Sequence, residues 1–272
     1  MLSNLWLDLN IRYIMKILSW NVNGFDARLE AVNRLVADLQ PDIMSFQKVR
    51  KKGAFITPID GYFGWLGIMD NGLFGGVSTY ISRGFPFEFE AQRNDMPEWL
   101  METGCLNVIR FDQFILVNAY FPYANKSNEE FVKIRQQWDY ELHDYLEKLA
   151  YQKPLILCGD LNIVAEDKDA WDRVSVKNDG CFSEWEHRNF NSMMSTAGLV
   201  DSYRFLHPEG RDYTYFFQNR PEYRIENQGF RIDYFMVSEE LMPFVKKSEI
   251  LTDVFDTTNS PILLEIDLPN TL

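Results

Sequence analysis

Carboxylate and amide side chains follow two apolar runs of the sequence, in places where they could hold a cation or a phosphate. Asp160 ends one run and is followed by Asn162, while Asn21 and Asn23 follow another run near the start of the chain. Carboxylate and amide oxygens are the ligands that hard cations such as Mg²⁺ prefer, and amide groups also donate hydrogen bonds to phosphoryl oxygens. Each pair taken alone is also compatible with an ordinary turn, because Asp and Asn are typical turn residues.

Asp233 is a third carboxylate of interest, and it lies inside an apolar segment beside Tyr234 and Phe235. A carboxylate that is buried without a partner is costly, because it loses its hydration. The sequence therefore predicts a partner for Asp233 in the folded chain.

Short apolar runs that are typical of strands must position these side chains. The predicted strands are Lys16–Trp20, Ile43–Gln47, Val77–Ser82, Leu106–Phe111, Phe114–Tyr120, Leu155–Gly159, Phe230–Val237 and Pro261–Asp267. Asn21 and Asp160 directly follow two of these runs. We therefore expect both side chains at the ends of buried strands.

Amphipathic helices separate the predicted strands, with apolar residues at intervals of three or four over residues 29–39, 127–149 and 183–197. Two of these segments open with a capping-box pattern, in which a serine is followed three residues later by a glutamate: Ser127 with Glu130, and Ser183 with Glu186. The order of elements is mixed α/β, and no repeat or linker indicates a second domain.

The composition favours one folded domain outside the membrane. A chain of 272 residues with 46% hydrophobic content can bury a large core. No run reaches the roughly 18 apolar residues of a membrane helix, and Asp8 and Arg12 lie where a signal peptide would be apolar. We therefore expect a cytoplasmic protein. Its cysteines, Cys105, Cys158 and Cys181, have no spacing that suggests a disulfide framework or a zinc site, and they are predicted to be reduced and packed.

The net charge of -13 restricts any contact with nucleic acid. Binding to phosphates is driven by Lys and Arg that displace counterions, and an acidic body repels the phosphate backbone. A local basic cleft would still permit contact, so we expect any DNA-binding surface to be small.

Five segments together resemble the successive motifs of exonuclease III-type enzymes, a branch of the DNase I-like phosphoesterases. They are KILSWNVNG at 16–24, PDIMSFQKVR at 41–50, NAYFPYA at 118–124, LILCGDLNIV at 155–164 and FRIDYFMVS at 230–238. Weaker matches lie between them in family order: GGVSTYISR at 75–83, ETGCLNVIRF at 102–111 and AGLVDSYRFLHP at 197–208. The resemblance therefore covers about residues 15–268.

The resemblance implies an α/β fold, namely a four-layer α/β sandwich in which two mixed β-sheets pack face to face with helices outside. It also implies a single endonuclease/exonuclease/phosphatase-type domain over residues 15–272. Residues 1–14 precede Met15 and are predicted to be an N-terminal extension or the product of a misplaced start codon.

The resemblance also assigns catalytic roles. Asp160 resembles the family's water-orienting aspartate, Asn162 its phosphate-binding asparagine and Asn21 an active-site asparagine. Tyr120 resembles the tyrosine that donates a hydrogen bond to the scissile phosphate, although a tyrosine taken alone is more often a packing residue. Asp233 resembles the aspartate whose partner in the family is a histidine.

The metal shell and the histidine depart from the family pattern. Asn23 resembles a metal-shell position that relatives fill with Asp or Asn. Lys48 stands where the family has the glutamate that is a principal Mg²⁺ ligand, and an ammonium cannot ligate Mg²⁺. Thr258 stands at the metal-shell aspartate and Asn259 at the catalytic histidine. The family cofactor, Mg²⁺ or Mn²⁺, is therefore expected to bind poorly.

The remaining histidines are not expected to replace the missing imidazole. His143, His187 and His207 fall on predicted helices or loops that do not match the site. Asp256 lies two residues before Thr258 and would replace the aspartate only if the loop shifted its register.

Lys48 is expected to change the charge of the site. Its ammonium could occupy the place of Mg²⁺ and neutralise Asp160, which would leave a site that binds a phosphate without cleaving it. The alternative is that Lys48 points to solvent, since lysine is mostly exposed in proteins.

DNA contacts are implied for the segment before the FRIDYF-type strand, because family members insert side chains into the minor groove from there. The residues assigned to DNA binding are Arg50, Phe216, Phe217, Arg220, Arg224 and Arg231. Lys51 and Lys52 add positive charge, whereas Asp26 stands where relatives usually have an arginine. Ordinary core aromatics and solvated charges stay the alternative for this set.

Three functions are compatible with these observations. The first is a Mg²⁺-dependent DNA repair nuclease that acts at abasic sites or on 3′ ends of duplex DNA. The second is a catalytically silent DNA-binding or protein-interaction homologue, which the three departures favour. A phosphatase of the wider family is the third, and the basic, aromatic segment before the FRIDYF strand favours DNA over it. We expect a monomer that binds duplex DNA weakly, with weak or lost catalysis.

Overall fold

Two mixed β-sheets pack face to face in the structure, which is a computed structural model that describes residues 13–51, 55–67, 74–91, 95–172 and 180–268. The strands, in chain order, are β1 (Tyr13–Asn21), β2 (Ile43–Gln47), β3 (Tyr62–Leu66), β4 (Val77–Ser82), β5 (Phe89–Glu90), β6 (Leu106–Phe111), β7 (Ile115–Tyr120), β8 (Leu155–Asp160), β9 (Leu199–Asp201), β10 (Asp233–Ser238), β11 (Val245–Ile250) and β12 (Ile262–Leu268). The first sheet has the order β11, β12, β1, β2, β4, β3 and the second the order β5, β6, β7, β8, β10, β9.

The helices cover the outer faces of the sheets. They are α1 (Leu29–Leu39), α2 (Glu98–Thr103), α3 (Glu129–Ala150), α4 (Glu184–Thr196), α5 (Ser202–Leu206) and α6 (Pro221–Ile225), with 3-10 turns at Asp26–Arg28, Asp167–Asp169 and Met242–Phe244. On one outer face Val32 of α1 packs in a cluster with Trp20 of β1, and on the other Leu142 of α3 packs with Leu157 of β8. The predicted four-layer sandwich is confirmed. Among the described residues, no helix has the length and apolar character that crossing a membrane requires.

Apolar side chains fill the space between the two sheets. Ile17 and Ile43 of the first sheet belong to one buried cluster with Leu116 and Ile156 of the second. Such interdigitation is what holds two sheets face to face. The prediction of packed thiols is confirmed, because all three cysteines are buried and none belongs to a disulfide.

Most predicted strands lie where the sequence places them, and the missed ones share a position in the fold. The strands without a prediction are β3, β5, β9 and β11, and these are the outermost strands of the two sheets. β5 and β9 have only two and three residues, and β11 carries Lys246, Lys247 and Glu249, so these three lack the continuous apolar run that predicts a buried strand. β3 has an apolar run, which Gly64 interrupts. The predicted strand 230–237 begins only at Asp233, because Phe230 exchanges backbone hydrogen bonds with Tyr215.

The start of α3 differs from the prediction. The residue that caps the helix is Asn128, whose side chain accepts a hydrogen bond from the Glu130 N–H at 3.0 Å. Ser127 belongs to the preceding turn, where its own N–H donates to Asn125 Oδ1. The predicted capping box of Ser127 is therefore wrong, whereas that of Ser183 with Glu186 is confirmed.

β1 begins before the predicted start of the domain. Tyr13 and Ile14 pair with Leu268 and Asp267 of β12, so these two residues are part of the sheet. The Tyr13 hydroxyl donates to the Asp42 carboxylate. Residues 13 and 14 of the predicted N-terminal extension are therefore part of β1. Residues 1–12 lie outside the described part of the chain.

Arg231 lies in the interior, which corrects its assignment to DNA binding. Its side chain is 1% exposed and its guanidinium donates to Asp169 at 2.8 Å through both Nε and Nη2. Nη2 also lies 2.7 Å from Asp201, and the guanidinium carbon lies 4.5 Å from the centre of the Tyr234 ring. This ion pair holds the segment that leads into β10. Because the Arg231 side chain is buried, it has no access to DNA.

Replacement of Arg231 should therefore destabilise the fold. We expect Arg231→Gln to lower the free energy of unfolding by roughly 3 kcal/mol or more, because it leaves buried carboxylates without their cation. Arg188→Gln is the matched control, since the Arg188 side chain is 72% exposed, and it should change stability by less than about 0.5 kcal/mol. Urea unfolding measures both. Normal stability of Arg231→Gln together with weaker DNA binding would contradict the structural role.

Candidate active site

Strand ends from both sheets converge on one edge of the sandwich. Asn21 ends β1 and Lys48 follows β2, which is the parallel neighbour of β1. In the second sheet Tyr120 ends β7 and is paired with Asp160 at the end of β8, and Asp160 is paired with Asp233 at the start of β10. The topology therefore brings together residues that are far apart in the sequence.

Gly159 permits the close approach of β8 to β7 beside this site. Its φ is 137°, and a Cβ at this position would lie 1.9 Å from the carbonyl oxygen of Ala119. Only glycine fits such a backbone. The next residue, Asp160, is thereby held against the end of β7.

Asp160 is buried and accepts hydrogen bonds on both oxygens. Asn21 Nδ2 donates to Oδ2 at 2.7 Å, and the Asn162 N–H donates to Oδ1 at 3.2 Å. The Asn162 side chain points its Nδ2 to the carbonyl oxygen of Phe121 at 2.7 Å. Burial raises the pKa of Asp160 above its usual value, while Lys48 and the two hydrogen bonds oppose that change.

Lys48 faces the site, so the solvent-exposed alternative is not what the structure shows. Its Nζ lies 4.8 Å from the centre of the Tyr120 ring. Burial by itself lowers the pKa of Lys48, but Tyr120 and Asp160 outweigh it and the pKa stands above its usual value. The ammonium therefore stays charged, and it favours the ionised form of Asp160.

The backbone around Lys48 is clamped from two sides. Lys48 has a φ of 51°, and its carbonyl oxygen accepts a hydrogen bond from the Gly24 N–H at 2.8 Å. The N–H groups of Val49 and Arg50 donate to Gly76 and Gly75 at 3.2 and 2.7 Å. Such a loop has little freedom to move the lysine away from Asp160.

Asn259 is the partner that Asp233 requires. Asn259 Nδ2 donates to Asp233 Oδ2 at 2.9 Å, and the backbone N–H of Asp233 donates to Thr214 Oγ1 at 3.1 Å. Within the described residues, no hydrogen-bond partner lies within reach of Asp233 Oδ1. Burial and the nearby charge of Asp160 raise the pKa of Asp233 well above its usual value. Of the two neighbouring carboxyl groups, Asp160 and Asp233, Asp233 is thus the one that keeps its proton more readily.

Thr257 connects the loop between β11 and β12, residues 251–261, to β1. We call this segment the closing loop, and the sequence did not indicate a role for Thr257. Its Oγ1 donates to the carbonyl oxygens of Asn21 and Asn259, at 3.1 and 2.8 Å. Trp20 Nε1 donates to the same Asn259 carbonyl at 2.9 Å. The resemblance assigns no role to residue 257. In the sequence, only its position next to Thr258 indicated that it lies near the site.

Asn23 and Thr258 do not line the same cavity as Lys48 and Asp160. Lys48, Asp160 and Asn259 line a cavity of about 230 Å³, whereas Asn23 and Thr258 line a neighbouring cavity of about 340 Å³. Thr258 Oγ1 donates to Asn259 Oδ1 at 3.1 Å. The three predicted metal-shell positions are therefore divided between two cavities.

Two of the residues assigned to DNA binding, Phe216 and Arg224, contact each other and the loop before β12. Phe216 is 4% exposed and lies under Arg224, whose guanidinium carbon is 4.8 Å from the centre of its ring. Arg224 donates to the carbonyl oxygens of Val254 and Thr257 and to Ser260 Oγ, at 3.0, 3.1 and 3.0 Å. These contacts hold the closing loop in place. Phe216 is buried, whereas Arg224 is half-buried and lines the same cavity as Asn23, so its assignment to DNA binding stays a prediction.

The other assigned residues lie near the site surface. Arg50 is exposed and lines a cavity of about 220 Å³ that it shares with Lys48. Phe217 is half-buried and lines both the Asp160 cavity and the Asn23 cavity. Arg220 is exposed and lines the latter. Lys51 instead pairs with Asp26 at 2.6 Å, and Lys52 lies outside the described residues.

Neither Asp256 nor any of the three histidines replaces the missing aspartate or histidine. Asp256 forms a pair with Arg34 at 2.9 Å on the surface, so the closing loop has not shifted its register to use it. His143 and His187 lie in α3 and α4, and His207 Nε2 lies 3.1 Å from the carbonyl oxygen of Ser248.

Comparison with known proteins decides the family. Residues 18–255 match the model of the Endonuclease/Exonuclease/phosphatase family. The chain belongs to this family. It is 28% identical over 262 residues to an exodeoxyribonuclease of Bacillus subtilis (strain 168), which covers 93% of this chain and 100% of the relative. It is 31% identical over 264 residues to a DNA-(apurinic or apyrimidinic site) endonuclease of Dictyostelium discoideum, which covers 93% of this chain and 71% of the relative.

Solved structures agree with the fold of this endonuclease/exonuclease/phosphatase domain. An AP endonuclease from Leishmania major matches with a TM-score of 0.83 at 23% identity, over 94% of this chain and 88% of that one. A 3′-5′ exonuclease from Neisseria meningitidis matches with a TM-score of 0.80 at 25% identity, over 93% of this chain and 100% of that one. The predicted branch, exonuclease III and apurinic endonuclease, is confirmed.

The residues present do not fit the Mg²⁺ ion that members of this family generally use. Mg²⁺ demands oxygen ligands in near-octahedral geometry. Among the described residues, no group of three or more His, Cys, Asp or Glu side chains lies close enough to hold a metal ion. The Lys48 ammonium lines the same cavity as Asp160, and its positive charge repels a divalent cation.

The raised pKa of Asp233 predicts how stability depends on pH. A carboxyl whose pKa is higher in the folded chain than in the unfolded chain stabilises the fold only while it is protonated. Its contribution to the free energy of unfolding is lost as pH rises through the folded-state pKa. A tenfold difference in proton affinity corresponds to ~1.4 kcal/mol. Asp233→Asn should therefore melt at least about 2 °C above the parent at pH 8, and the difference should shrink towards pH 4.

The matched control for this prediction is Asp60→Asn, since Asp60 is exposed in a turn. Thermal melts of the parent and both variants at pH 4 and pH 8 make the comparison. A variant Asp233→Asn that is less stable than the parent at pH 8 would mean that Asp233 is ionised and favourably paired.

Proposed function

We propose that this protein is a DNA-binding member of the exonuclease III and apurinic endonuclease branch in which phosphodiester hydrolysis is weak or lost. Lys48 supplies the positive charge that a metal ion supplies in family members. The observation that carries the proposal is the position of the Lys48 ammonium, which lies over the Tyr120 ring and lines the same cavity as the buried Asp160. Binding of Mg²⁺ or Mn²⁺ at this site is accordingly poor.

Lys48 affects binding and hydrolysis in opposite ways. A buried ammonium attracts a phosphate, and together with Asp160 it forms a site of low net charge. Hydrolysis needs more, namely a group that activates or orients water and a Lewis acid that stabilises the developing charge. The Lys48 ammonium can bind a phosphate, but it has no vacant coordination site for water and cannot act as a Lewis acid, so it supports binding without hydrolysis.

Asn259 cannot take over the work of an imidazole. Its amide donates to Asp233 at 2.9 Å, which keeps the geometry of an Asp-His pair. An amide, however, does not exchange a proton near neutral pH, so the pair cannot act as a general acid or base. Loss of such a group typically lowers the rate by ~10²–10⁴, and further losses in one site are not additive.

DNA is the partner that the comparisons and the surface favour. Relatives in this branch are exodeoxyribonucleases and apurinic endonucleases by name, and one matched Neisseria structure is bound to a product DNA hairpin. Arg50 and Arg220 are exposed cations beside the two site cavities. A monomer in the cytoplasm that engages duplex DNA through these few cations is the form we propose.

Restoration of the family residues tests the proposal. Lys48→Glu and Asn259→His should return a carboxylate and an imidazole to the Asp160 cavity, and Thr258→Asp adds a second carboxylate in the adjoining cavity, next to residue 259. We expect abasic-duplex cleavage with Mg²⁺ to rise at least ~10²-fold in the triple variant, while each single variant stays near background because the groups act as a unit.

The control for this experiment is the parent at matched protein concentration, with folding checked by circular dichroism. A parent that already cleaves as fast as ordinary family enzymes would overturn the proposal. A folded but inactive triple variant would mean that the surface that holds DNA in a productive position is also lost.

DNA binding should be weak and should depend on few phosphate contacts. If Lys48, Arg50 and Arg220 neutralise one phosphate each, the logarithm of the binding constant should fall with the logarithm of salt concentration at a slope of about −3. Arg50→Gln should reduce that slope by about one. Arg188→Gln, an exposed arginine on α4, is the matched control and should leave it unchanged. Fluorescence anisotropy of a labelled duplex at several salt concentrations measures the slope, and nanomolar binding at physiological salt would contradict this prediction.

A further inference from the structure

One buried guanidinium, that of Arg135 on α3, holds two segments at the edge of the sandwich where the site lies. Its Nη1 donates to the carbonyl oxygens of Pro122 and Asn162, at 3.2 and 3.1 Å. Pro122 comes two residues after β7, and Asn162 comes two residues after β8. The guanidinium carbon also lies 5.1 Å from the centre of the Phe121 ring. Arg135 therefore connects the segments that follow two strands of the site.

Two buried carboxylates complete an Arg135 network, which consists of Arg135, Asp139 and Glu186. Asp139 accepts a hydrogen bond from Arg135 Nε at 2.7 Å, and Glu186 Oε1 lies 3.9 Å from Arg135 Nη1. These three side chains are at most 2% exposed. Glu186 also accepts hydrogen bonds from the N–H groups of Cys181 and Ser183, both at 3.1 Å. The segment before α4 is thus a third segment that the network holds.

The three segments form one side of the cavity that contains Asp160, because Tyr123, Asn162 and Cys181 all line it. Asn162 and Cys181 have φ values of 45° and 76°, a conformation that residues other than glycine adopt only at a cost. Such a backbone persists where the surrounding structure holds it. The Arg135 network does so through the Asn162 carbonyl oxygen and the Cys181 N–H.

The Asn162 backbone links this network to the Asp160 carboxylate. Its carbonyl oxygen accepts from Arg135, while its N–H donates to Asp160 Oδ1 at 3.2 Å. The position of that carboxylate therefore depends on a segment that Arg135 holds. Burial raises the pKa of Asp160, and the charges of Lys48 and Arg135 both oppose that change.

We propose that Arg135 is a positioning residue of the phosphate site, because it holds the three segments that form one side of the Asp160 cavity. This inference rests on the proposed function, since it takes a phosphate as the ligand at Lys48. It goes further by giving a role in binding to a buried ion pair that itself lines none of the three site cavities.

Removal of the whole ion pair separates positioning from stability. Arg135→Met together with Asp139→Leu replaces both charges by apolar side chains, and such a replacement of a buried pair is often neutral for stability. Glu186 keeps the hydrogen bonds that it accepts from Cys181 and Ser183. We expect this double variant to unfold at nearly the same urea concentration as the parent. Calorimetric titration in EDTA should nevertheless show inorganic phosphate binding at least about tenfold more weakly, because the cavity is no longer preorganised.

Thiol modification tests the same role without any ligand. Cys181 is 5% exposed, whereas Cys105 and Cys158 are fully buried and serve as internal controls. We expect an aromatic disulfide reagent to modify Cys181 at least about tenfold faster in the double variant than in the parent, because its segment opens locally. The other two thiols should react as in the parent, and mass spectrometry identifies the modified residue.

Leu142→Ala is the matched control for lost stability, since Leu142 is fully buried on the same helix and lines none of the site cavities. It should destabilise the fold by leaving a cavity, but it should keep phosphate affinity and should not expose Cys181 selectively. Selective exposure of Cys181 in this control would mean that thiol reactivity follows general stability, and it would overturn the inference.

The remaining outcomes distinguish this inference from the proposed function. Phosphate affinity or Cys181 reactivity equal to that of the parent in the folded double variant would refute the positioning role. Lys48→Met should weaken phosphate binding without exposing Cys181. If Lys48→Met leaves phosphate binding unchanged, the proposed function is wrong, and the thiol data alone decide whether Arg135 holds the segments.

Arg135→Lys is a second variant should the double variant not fold. It keeps the positive charge but loses the planar fork that reaches Asp139 and two carbonyl oxygens together. Cys181 should still react faster than in the parent, and phosphate should bind more weakly. A folded Arg135→Lys with the parent's values for both would contradict the inference.

Discussion

The electrostatic attraction between the Lys48 ammonium and the buried Asp160 carboxylate, which line one cavity, is the interaction on which the rest of this site depends. Taking either charge out of water alone would be costly, and each one offsets the cost of burying the other. The family arrangement solves the same problem with a metal ion and several carboxylates. Here a side chain supplies the cation, so the charge is attached to the fold and needs no ligand from solution.

The other two departures from the family pattern, Thr258 and Asn259, are consistent with replacement of a metal ion by the Lys48 ammonium. With a single positive charge in place of a divalent ion, fewer anions can be tolerated, and Thr258 is neutral where the family has an aspartate. Asp233 remains, but its pKa is raised by burial and by Asp160, and its partner Asn259 is an amide. Thr257 and Trp20 still hold the closing loop against β1. We propose that the framework of a hydrolytic site is kept while its proton-transfer and metal-binding groups are replaced.

The sequence predicts the central strands, because buried strands are continuous apolar runs. It also predicts that four site residues lie close together, because the motifs lie at the strand ends: Asn21, Tyr120, Asp160 and Asp233. The edge strands could not be predicted, since β5 and β9 are very short, β11 carries three charged residues and a glycine interrupts β3. Arg231 shows a second limit: an arginine between aromatic residues has the same pattern whether it contacts DNA or buried carboxylates. The two are distinguished by tertiary contacts with Asp169 and Asp201, which no local pattern contains.

Affinity for divalent metal tests the central claim most directly, because it asks whether the Lys48 ammonium has replaced the ion. Calorimetric titration of the parent with Mg²⁺ and with Mn²⁺, in the absence of DNA, should show no saturable site at micromolar concentration, since an ammonium cannot ligate the ion and repels it from Asp160. Titration of Asp160→Asn identifies any binding that occurs elsewhere on this acidic chain. A micromolar Mg²⁺ site that is present in the parent and lost in Asp160→Asn would contradict the account.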